Sequence, residues 1–266
     1  MQKKIPKVSV IISIYKPNLE ILEKIRKILK KQTIKAEIIE MENLPEAIAM
    51  NTGVKKAKGK IVITLCQDCL PENEYWIEKL IAPLIEEKNV VATVSNLRLP
   101  EWYWKKYPFL TRMLILDEVK VTRPAFDTRA CAYWKKVLIK AGMFNEDPKV
   151  IAFDGDIRKK LEKLGRIANP GVNVLHLHPL TNKKKIELDY KYALASGNIV
   201  RNEKVKEKIV FLKRLVRATP ILGLVPILLS FPFKKHFLFF PLYVLYSPIS
   251  HFVYVFGFWK GLIIKD

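Results

Sequence analysis

Cysteine is scarce in this chain. The three present, Cys66, Cys69 and Cys131, are too few for the disulfide framework of a small secreted domain. Cys66-Gln67-Asp68-Cys69 has the C-x-x-C spacing but lacks a second Cys/His pair to complete a zinc site, so these thiols are expected to be small buried hydrophobes. Negative charge is also thin, with 26 Asp+Glu against 47 Lys+Arg for a formal charge of +21. That surplus bears on partners such as phosphates, nucleic acid or an anionic membrane, and not on fold. No signal peptide is expected: Met1–Lys7 is polar and basic, and the apolar run after it is only strand-length. What the chain does have is hydrophobic residues, 50% of its 266. Global disorder is thereby excluded, and there is material for one large domain or two small ones.

Residues 8–94 alternate strand and helix with short connections. Val8–Tyr15 reads as a buried strand, and Leu19, Leu22, Ile25, Ile28 and Leu29 recur at helical spacing. Glu37–Met41 reads as a second strand, Leu44–Ala57 as a helix and Lys60–Leu65 as a third strand. Trp76–Glu87 is an amphipathic helix, and Val90–Val94 a fourth strand. Such alternation implies right-handed crossovers and a mainly parallel sheet. Ligands of such sheets lie beyond the strands' C-terminal ends, here Tyr15, Met41–Asn43 and Cys66–Asp68. The rhythm lapses over 95–128, where Trp102, Tyr103 and Trp104 mix with Lys105, Lys106 and Arg112. It returns as helices at Lys135–Ala141 and Ile157–Leu164, with Gly142 and Gly165 as stops, and a short strand at Val172–His176.

The last quarter changes character. Residues 201–266 hold eleven Lys/Arg against Glu203, Glu207 and Asp266, or +8, leaving +13 for the first 200. Phe237–Trp259 carries no formal charge over 23 residues, enough to span a bilayer, yet Pro241, Pro248 and His251 interrupt it. Arg214, Arg217, Lys234, Lys235, Lys260 and Lys265 flank the apolar runs on every side, so an in-plane or re-entrant hairpin on an anionic surface is expected. The division expected is a catalytic domain over 1–200 and a basic, membrane-associated helical tail over 201–266.

Three segments carry a resemblance. Val8-Ser-Val-Ile-Ile-Ser-Ile-Tyr15 is followed by Asn51-Thr-Gly53-Val-Lys-Lys-Ala57-Lys-Gly59 and by a strand ending in Gln67-Asp68. Together they resemble a family 2 glycosyltransferase of GT-A fold. Trp134–Glu146 resembles the family segment leading to its catalytic acidic motif, and Phe153-Asp154-Gly155-Asp156 resembles that motif. Gln67-Asp68 followed by Pro71 and Trp76, with His176-Leu-His178 later, is similar to rhamnosyltransferase-like members. The likeness covers roughly residues 7–180.

The resemblance implies a GT-A sheet and transfer of a sugar, such as a deoxyhexose, from a nucleotide diphosphate donor to a glycan or lipid-linked acceptor at the cytoplasmic membrane face. It implies Asp154 as catalytic base and a divalent cation, Mg2+ or Mn2+, on Asp68 with His176 or His178. The nucleotide-sugar contacts implied are Ser13, Tyr15, Glu42, Asn43, Asn51, Gln67 and Asp68. The residue types suit an inverting transfer, which needs a carboxylate to deprotonate the acceptor hydroxyl and positive charge on the departing diphosphate. The two histidines are placed on opposite faces of an extended segment, so at most one is expected at the site. Lys183–Lys185 reads as a solvated basic loop. A nucleic-acid-binding protein is the alternative from charge alone, but no recognisable module accompanies it, and nucleic acid is not expected as a partner. A catalytically inactive membrane scaffold is the other alternative, motivated by the single Asp at each acidic motif.

Overall fold

The computed structural model describes residues 7–116, 123–124, 126, 128–147, 153–202, 208–229, 231 and 236–264. Contacts divide the chain into two units, Met1–Pro100 with Thr122–His178 and Glu101–Val121 with Pro179–Asp266. The boundary expected at residue 200 therefore falls inside a helix of the second unit, and a segment inserted between strands of the first unit joins that second unit.

The first unit opens as the periodicities require. Strand β1 (Val8–Ile14) is an unbroken apolar run with Val10, Ile11 and Ile12 fully buried. Helix α1 (Leu19–Lys31) is N-capped by Asn18, whose side chain accepts from the Ile21 backbone N–H, and it buries Ile21, Leu22, Ile25 and Leu29. Then come β2 (Ala36–Glu42), α2 (Glu46–Lys56), β3 (Ile61–Cys66), β4 (Cys69–Pro71), α3 (Trp76–Glu86), β5 (Val90–Val94) and β6 (Asn96–Arg98). After the insertion, which carries α4 (Glu101–Trp104) and α5 (Phe109–Leu114), the unit resumes with β7 (Arg123–Pro124), β8 (Ala130–Trp134) and α6 (Lys135–Lys140). It closes with α7 (Phe153–Glu162), β9 (Arg166–Ala168) and β10 (Asn173–His176).

Six strands form the central sheet in the order β2-β1-β3-β8-β5-β9. The pairs β1–β2, β1–β3 and β5–β9 are parallel, whereas β8 is antiparallel to both β3 and β5. The sheet is thus mainly parallel, as expected, but mixed: five strands run one way and β8 runs against them. The strand that changes it, Ala130-Cys131-Ala132-Tyr133-Trp134, is short and begins with small residues, which have little β-propensity to announce it. A second sheet, β4-β10-β6-β7, pairs β10 antiparallel to β4 and parallel to β6. It is this sheet that brings the late histidines to the end of β3.

The second unit is helical: α4, α5, α8 (Asn182–Asn202), α9 (Lys208–Arg217), α10 (Leu224–Leu229) and α11 (Phe240–Ile263), the last preceded by a 3₁₀ turn at Phe237–Phe239. Lys183–Lys185 are the start of α8, not a loop. The Thr181 hydroxyl accepts from the Lys184 N–H, and Lys185 pairs with Asp189 one turn on. Helices α8 and α11 meet backbone to backbone. A methyl group at Gly197 would run into the Phe258 carbonyl, and one at Gly261 into the Leu194 carbonyl. Small residues four apart on each helix, Ala193 and Gly197 against Gly257 and Gly261, permit that approach. The segment Phe237–Ile263 is long and apolar enough to cross a membrane by length and composition, with a mean hydropathy of 1.4. Lys234, Lys235 and Lys265, invoked as its flanks, lie outside the described residues.

Candidate active site

The parallel register sets one edge of the central sheet. Ile14 lies opposite Glu42, and Ser13 opposite both Met41 and Cys66. Tyr15, Glu42, Asn43, Gln67 and Asp68 therefore gather at the C-terminal ends of three neighbouring strands, where the sequence pattern points. Tyr15 is 59% exposed, and Glu42 and Asn43 are exposed beside it. Asn43 takes a left-handed backbone, φ 57°, while its N–H donates to the Ile14 carbonyl at 2.9 Å, so β2 turns away directly at that edge.

Gln67 has a different task from the contact implied. Its Oε1 accepts from the Tyr15 N–H and its Nε2 donates to the Tyr15 carbonyl, both at 2.7 Å. The amide acts as a two-point clip between the ends of β1 and β3, leaving the Tyr15 ring free to project. Asn51 is likewise spent internally. It is buried, donates to the Phe144 carbonyl at 2.8 Å and to Glu146 at 2.7 Å, and accepts from the Phe144 N–H at 3.0 Å. Phe144 packs edge-on against Phe153, the neighbour of Asp154. Asn51 thus positions the segment leading to the acidic motif and has no donor left for a sugar nucleotide. The glycines of its motif are packing devices: a methyl group at Gly53 would run into the Ile11 side chain, and at Gly59 it would lie 2.6 Å from the Ser9 nitrogen. Ser9 completes that turn, donating to Glu37 at 2.6 Å and accepting from the Gly59 N–H at 2.9 Å.

Asp68 anchors the polar centre. Its Oδ2 lies 3.0 Å from His178 Nδ1 and 3.6 Å from His176 Nε2. The two imidazoles stack at 5.7 Å with planes 15° apart. Both histidines therefore face Asp68, which corrects the expectation of at most one. Residues two apart in an extended chain share a face, and the antiparallel pairing of His176 with Cys69, with the Leu177 N–H bonded to the Asp68 carbonyl at 2.7 Å, points that face at the carboxylate. Burial alone would raise the Asp68 carboxyl. The two imidazoles outweigh it and hold the group far below the ordinary carboxylate range.

One carboxylate oxygen and two imidazole nitrogens lie within 4.8 Å of one another. That donor set fits a divalent transition ion: imidazole and carboxylate together suit Mn2+, Fe2+ or Zn2+ better than Ca2+, and three protein ligands leave positions open. Sequence reasoning missed a fourth member, Arg129, whose Nη1 lies 3.3 Å from His176 Nε2. A guanidinium only donates, so in this contact the His176 Nε2 lone pair is directed at Arg129, and a cation bound by that nitrogen would have to displace the contact. The signal lay in one basic residue just before a strand too weak to read.

A further acid is accounted for. Glu40 is held by Arg26 through two bonds, Nε–Oε1 2.7 Å and Nη2–Oε2 2.5 Å, which lower its carboxyl below the usual range. A group depressed in the folded state stabilises above its unfolded value, about 4.3, and that contribution is lost as pH falls through the folded value. Glu40→Gln is therefore expected to lower Tm by about 1–3 °C at pH 7, as for a partly exposed pair. The difference from wild type should close as pH is lowered through the carboxylate range. A pH-independent difference measured by calorimetry would assign the loss to packing. Cys66, Cys69 and Cys131 are buried free thiols. Burial pushes the Cys66 thiol up, and the Glu46 carboxylate beside it adds to this, so it is a neutral packing group as expected.

Asp154 lies in the first turn of α7, its Oδ1 accepting from the Gly155 N–H at 2.8 Å. Asp156 is drawn instead into an ion pair with Lys160, 2.6 Å apart.

Residues 16–146 match the family model described as Glycosyl transferase family 2. The chain is a glycosyltransferase. The span matched in the enzyme includes Asn51, Asp68, Arg129 and Glu146, and ends before Asp154, His176 and His178. Its fold is also that of a mannosyltransferase from Pyrobaculum calidifontis, solved in complex with GDP-Man and Mn2+. The TM-score is 0.59 at 15% identity, over 98% of this chain and 88% of that one. Weaker likenesses are to glucosyl-3-phosphoglycerate synthase from Mycobacterium tuberculosis (TM-score 0.48, 16% identity, 73% of this chain and 78% of that one) and to S. aureus TarS 1-349 (0.45, 13%, 96% and 90%). No curated protein matches the enzyme's sequence. At these identities the first likeness establishes the GT-A architecture with its mixed sheet and leaves the substrates to the site itself.

Proposed function

We propose that the enzyme transfers a sugar from a nucleotide diphosphate donor with inversion, using a divalent cation, to a glycan or lipid-linked acceptor at the cytoplasmic face of a membrane. The observation that carries the donor half is the Asp68–His176–His178 cluster at the end of β3, on the same sheet edge as Tyr15 and Glu42. In this reading the Tyr15 ring and the Glu42–Asn43 turn hold the nucleoside. Asp68 with His176 and His178 holds the cation, which supplies positive charge to the leaving diphosphate. Arg129 adds a fixed charge beside it, and Asp154 takes the proton of the attacking hydroxyl. The Mn2+ and GDP-mannose of the P. calidifontis structure and the rhamnosyltransferase-like His176-Leu-His178 pattern both support a hexose or deoxyhexose donor.

The membrane half rests on the helical unit. Helix α11 exposes Leu245, Phe252, Phe256 and Ile263, and its 24 residues reach about 36 Å at 1.5 Å per residue. Beside it α8 carries Lys183, Lys184, Lys185, Glu187, Asp189, Lys191 and Arg201, and Arg201 bonds the Ile264 carbonyl near the end of α11. A spanning α11 would draw those charges toward hydrocarbon, whereas an in-plane α11 leaves them in water, so the pairing favours the in-plane arrangement.

Thermal-shift titration of the full chain with GDP, UDP and dTDP sugars, with Mn2+ and with chelator, tests the donor reading. A bound donor raises Tm by mass action, about 2.7 kcal/mol at a hundredfold excess over Kd. The expected result is a shift with one nucleotide class that needs the metal. Absence of a shift with every nucleotide, in a chain that binds Mn2+, would sink it.

A further inference from the structure

The helical unit contains an open cleft of about 650 Å3 lined by Glu101, Trp104, Lys105, Arg112, His236 and Phe239. Nothing in the donor chemistry uses these residues. One part of the lining is aromatic and buried: Trp104 is 2% exposed and lies 5.4 Å from the His236 ring and 6.3 Å from that of Phe239. The other part is cationic. The Arg112 guanidinium is wedged over two rings, 5.6 Å from Trp104 and 5.5 Å from Phe109. Stacking fixes its plane, and the Trp104 indole N–H, bonded at 3.0 Å to the Arg112 carbonyl, fixes its backbone. Yet its Nε is shut away from solvent with no hydrogen-bond acceptor among the described residues. An orphaned guanidinium N–H is costly to bury, and an anion held against the remainder of this firmly stacked cation would offset that cost. Lys105, directly after the short helix that carries Trp104, pairs with exposed Glu101 at 3.1 Å, a weak contact that an anion of higher charge can outbid.

We infer that this cleft binds a phosphate group carried on an apolar chain, with Arg112 and Lys105 on the phosphate and Trp104 and Phe239 against the first carbons. The chemistry follows from the lining: guanidinium presents donors in the fork that matches phosphate oxygens, and Trp104 and Phe239 present carbon faces beside it. The same cleft that desolvates Arg112 Nε therefore disfavours a bare anion and favours an amphiphile. The inference rests on the membrane-facing reading of this unit, and extends it by naming what the unit would grip.

The test uses the full chain in phosphatidylcholine vesicles, with tryptophan fluorescence read during titration with dodecyl phosphate, dodecanol or inorganic phosphate. Dodecyl phosphate should saturate at least tenfold more tightly than either other probe. Arg112→Gln should weaken it by about tenfold or more, the scale of one charge-assisted contact, and Lys105→Gln by less, with Mn2+ binding unchanged in both. Because Arg112 is part of the packing, its melting curve is recorded. If that variant unfolds, Lys105→Gln and the probe comparison decide. Equal affinity for dodecanol would make the cleft a plain apolar groove, and equal affinity for inorganic phosphate a free-anion site. Either result overturns the inference, as does wild-type affinity in folded variants. Failure of the chain to associate with vesicles of phosphatidylcholine and phosphatidylglycerol, with dodecyl phosphate binding retained in solution, would overturn the membrane reading and leave the cleft standing.

Discussion

Replacing Asp154 by Asn is expected to lower turnover about 10²–10⁴-fold, the range for loss of a positioned acid–base group, with little change in donor affinity. The amide preserves shape and an oxygen for the Gly155 N–H contact, so the helix start survives while the basicity goes. The first turn of α7 favours a negative charge there. Asp156 is the internal control. Its carboxylate is bound to Lys160 on the same helix, and Asp156→Asn should cost far less. A second control reaches the same residue from a distance. Asn51→Ala removes the bonds that hold Phe144 and Glu146, loosening the support of Phe153, and should lower kcat while leaving KM for donor nearly as it was. If Asp154→Asn keeps near-normal turnover and Asp156→Asn abolishes it, the base sits two residues on. If neither variant matters, the motif has been misassigned.

Asp68→Asn should have the second large effect, on the metal. It deletes the only oxygen ligand of the cluster among the described residues, so Mn2+ affinity, followed by the ion's EPR signal in the full chain, should fall by more than the roughly 10–100-fold that outer partners of a metal site cost. Donor-induced stabilisation should fall with it in Mn2+ buffer and become equal to wild type in chelator. His178→Ala should follow in the same direction, because its Nδ1 is the nearer of the two imidazole contacts. Unchanged Mn2+ affinity in Asp68→Asn would leave the diphosphate to Arg129 and the histidines alone. The apo protein offers a separate readout. The half-buried carboxylate and two imidazoles support one another, so removing it should also lower Tm without metal.

Legibility in the chain tracked the range of the signal. Strands β1, β3 and β5, and helices α1 and α3, were readable to within a residue or two because their burial is unbroken or strictly periodic over five to thirteen positions. The C-terminal edge follows from that alternation, and with it the neighbourhood of Tyr15, Glu42 and Asp68. β8 was not readable. Five residues beginning Ala-Cys-Ala carry no period that distinguishes a strand from the start of the helix behind it, and its antiparallel insertion is decided by which neighbours leave two edges open. The α8 lysines misled for a related reason: charge runs resemble loops until a cap and an i,i+4 partner make them helix.

The sequence by itself determined the α/β alternation, the motif glycines that bring α2 onto β1, the apolar closing segment and the residue types of the site. These are local matters of period, volume and charge. Tertiary structure alone decided which of those residues meet. Asp68 and His178 are 110 positions apart, and only the antiparallel pairing of β10 on β4 turns both histidines to one carboxylate. Asn51 and Gln67 have the side chains of ligand-binding residues, but their partners at Phe144, Glu146 and Tyr15 claim every polar bond observed for them. A hydrogen-bonding side chain has a few fixed valences, and which groups fill them is settled by packing at long sequence separation, where no spacing rule reaches.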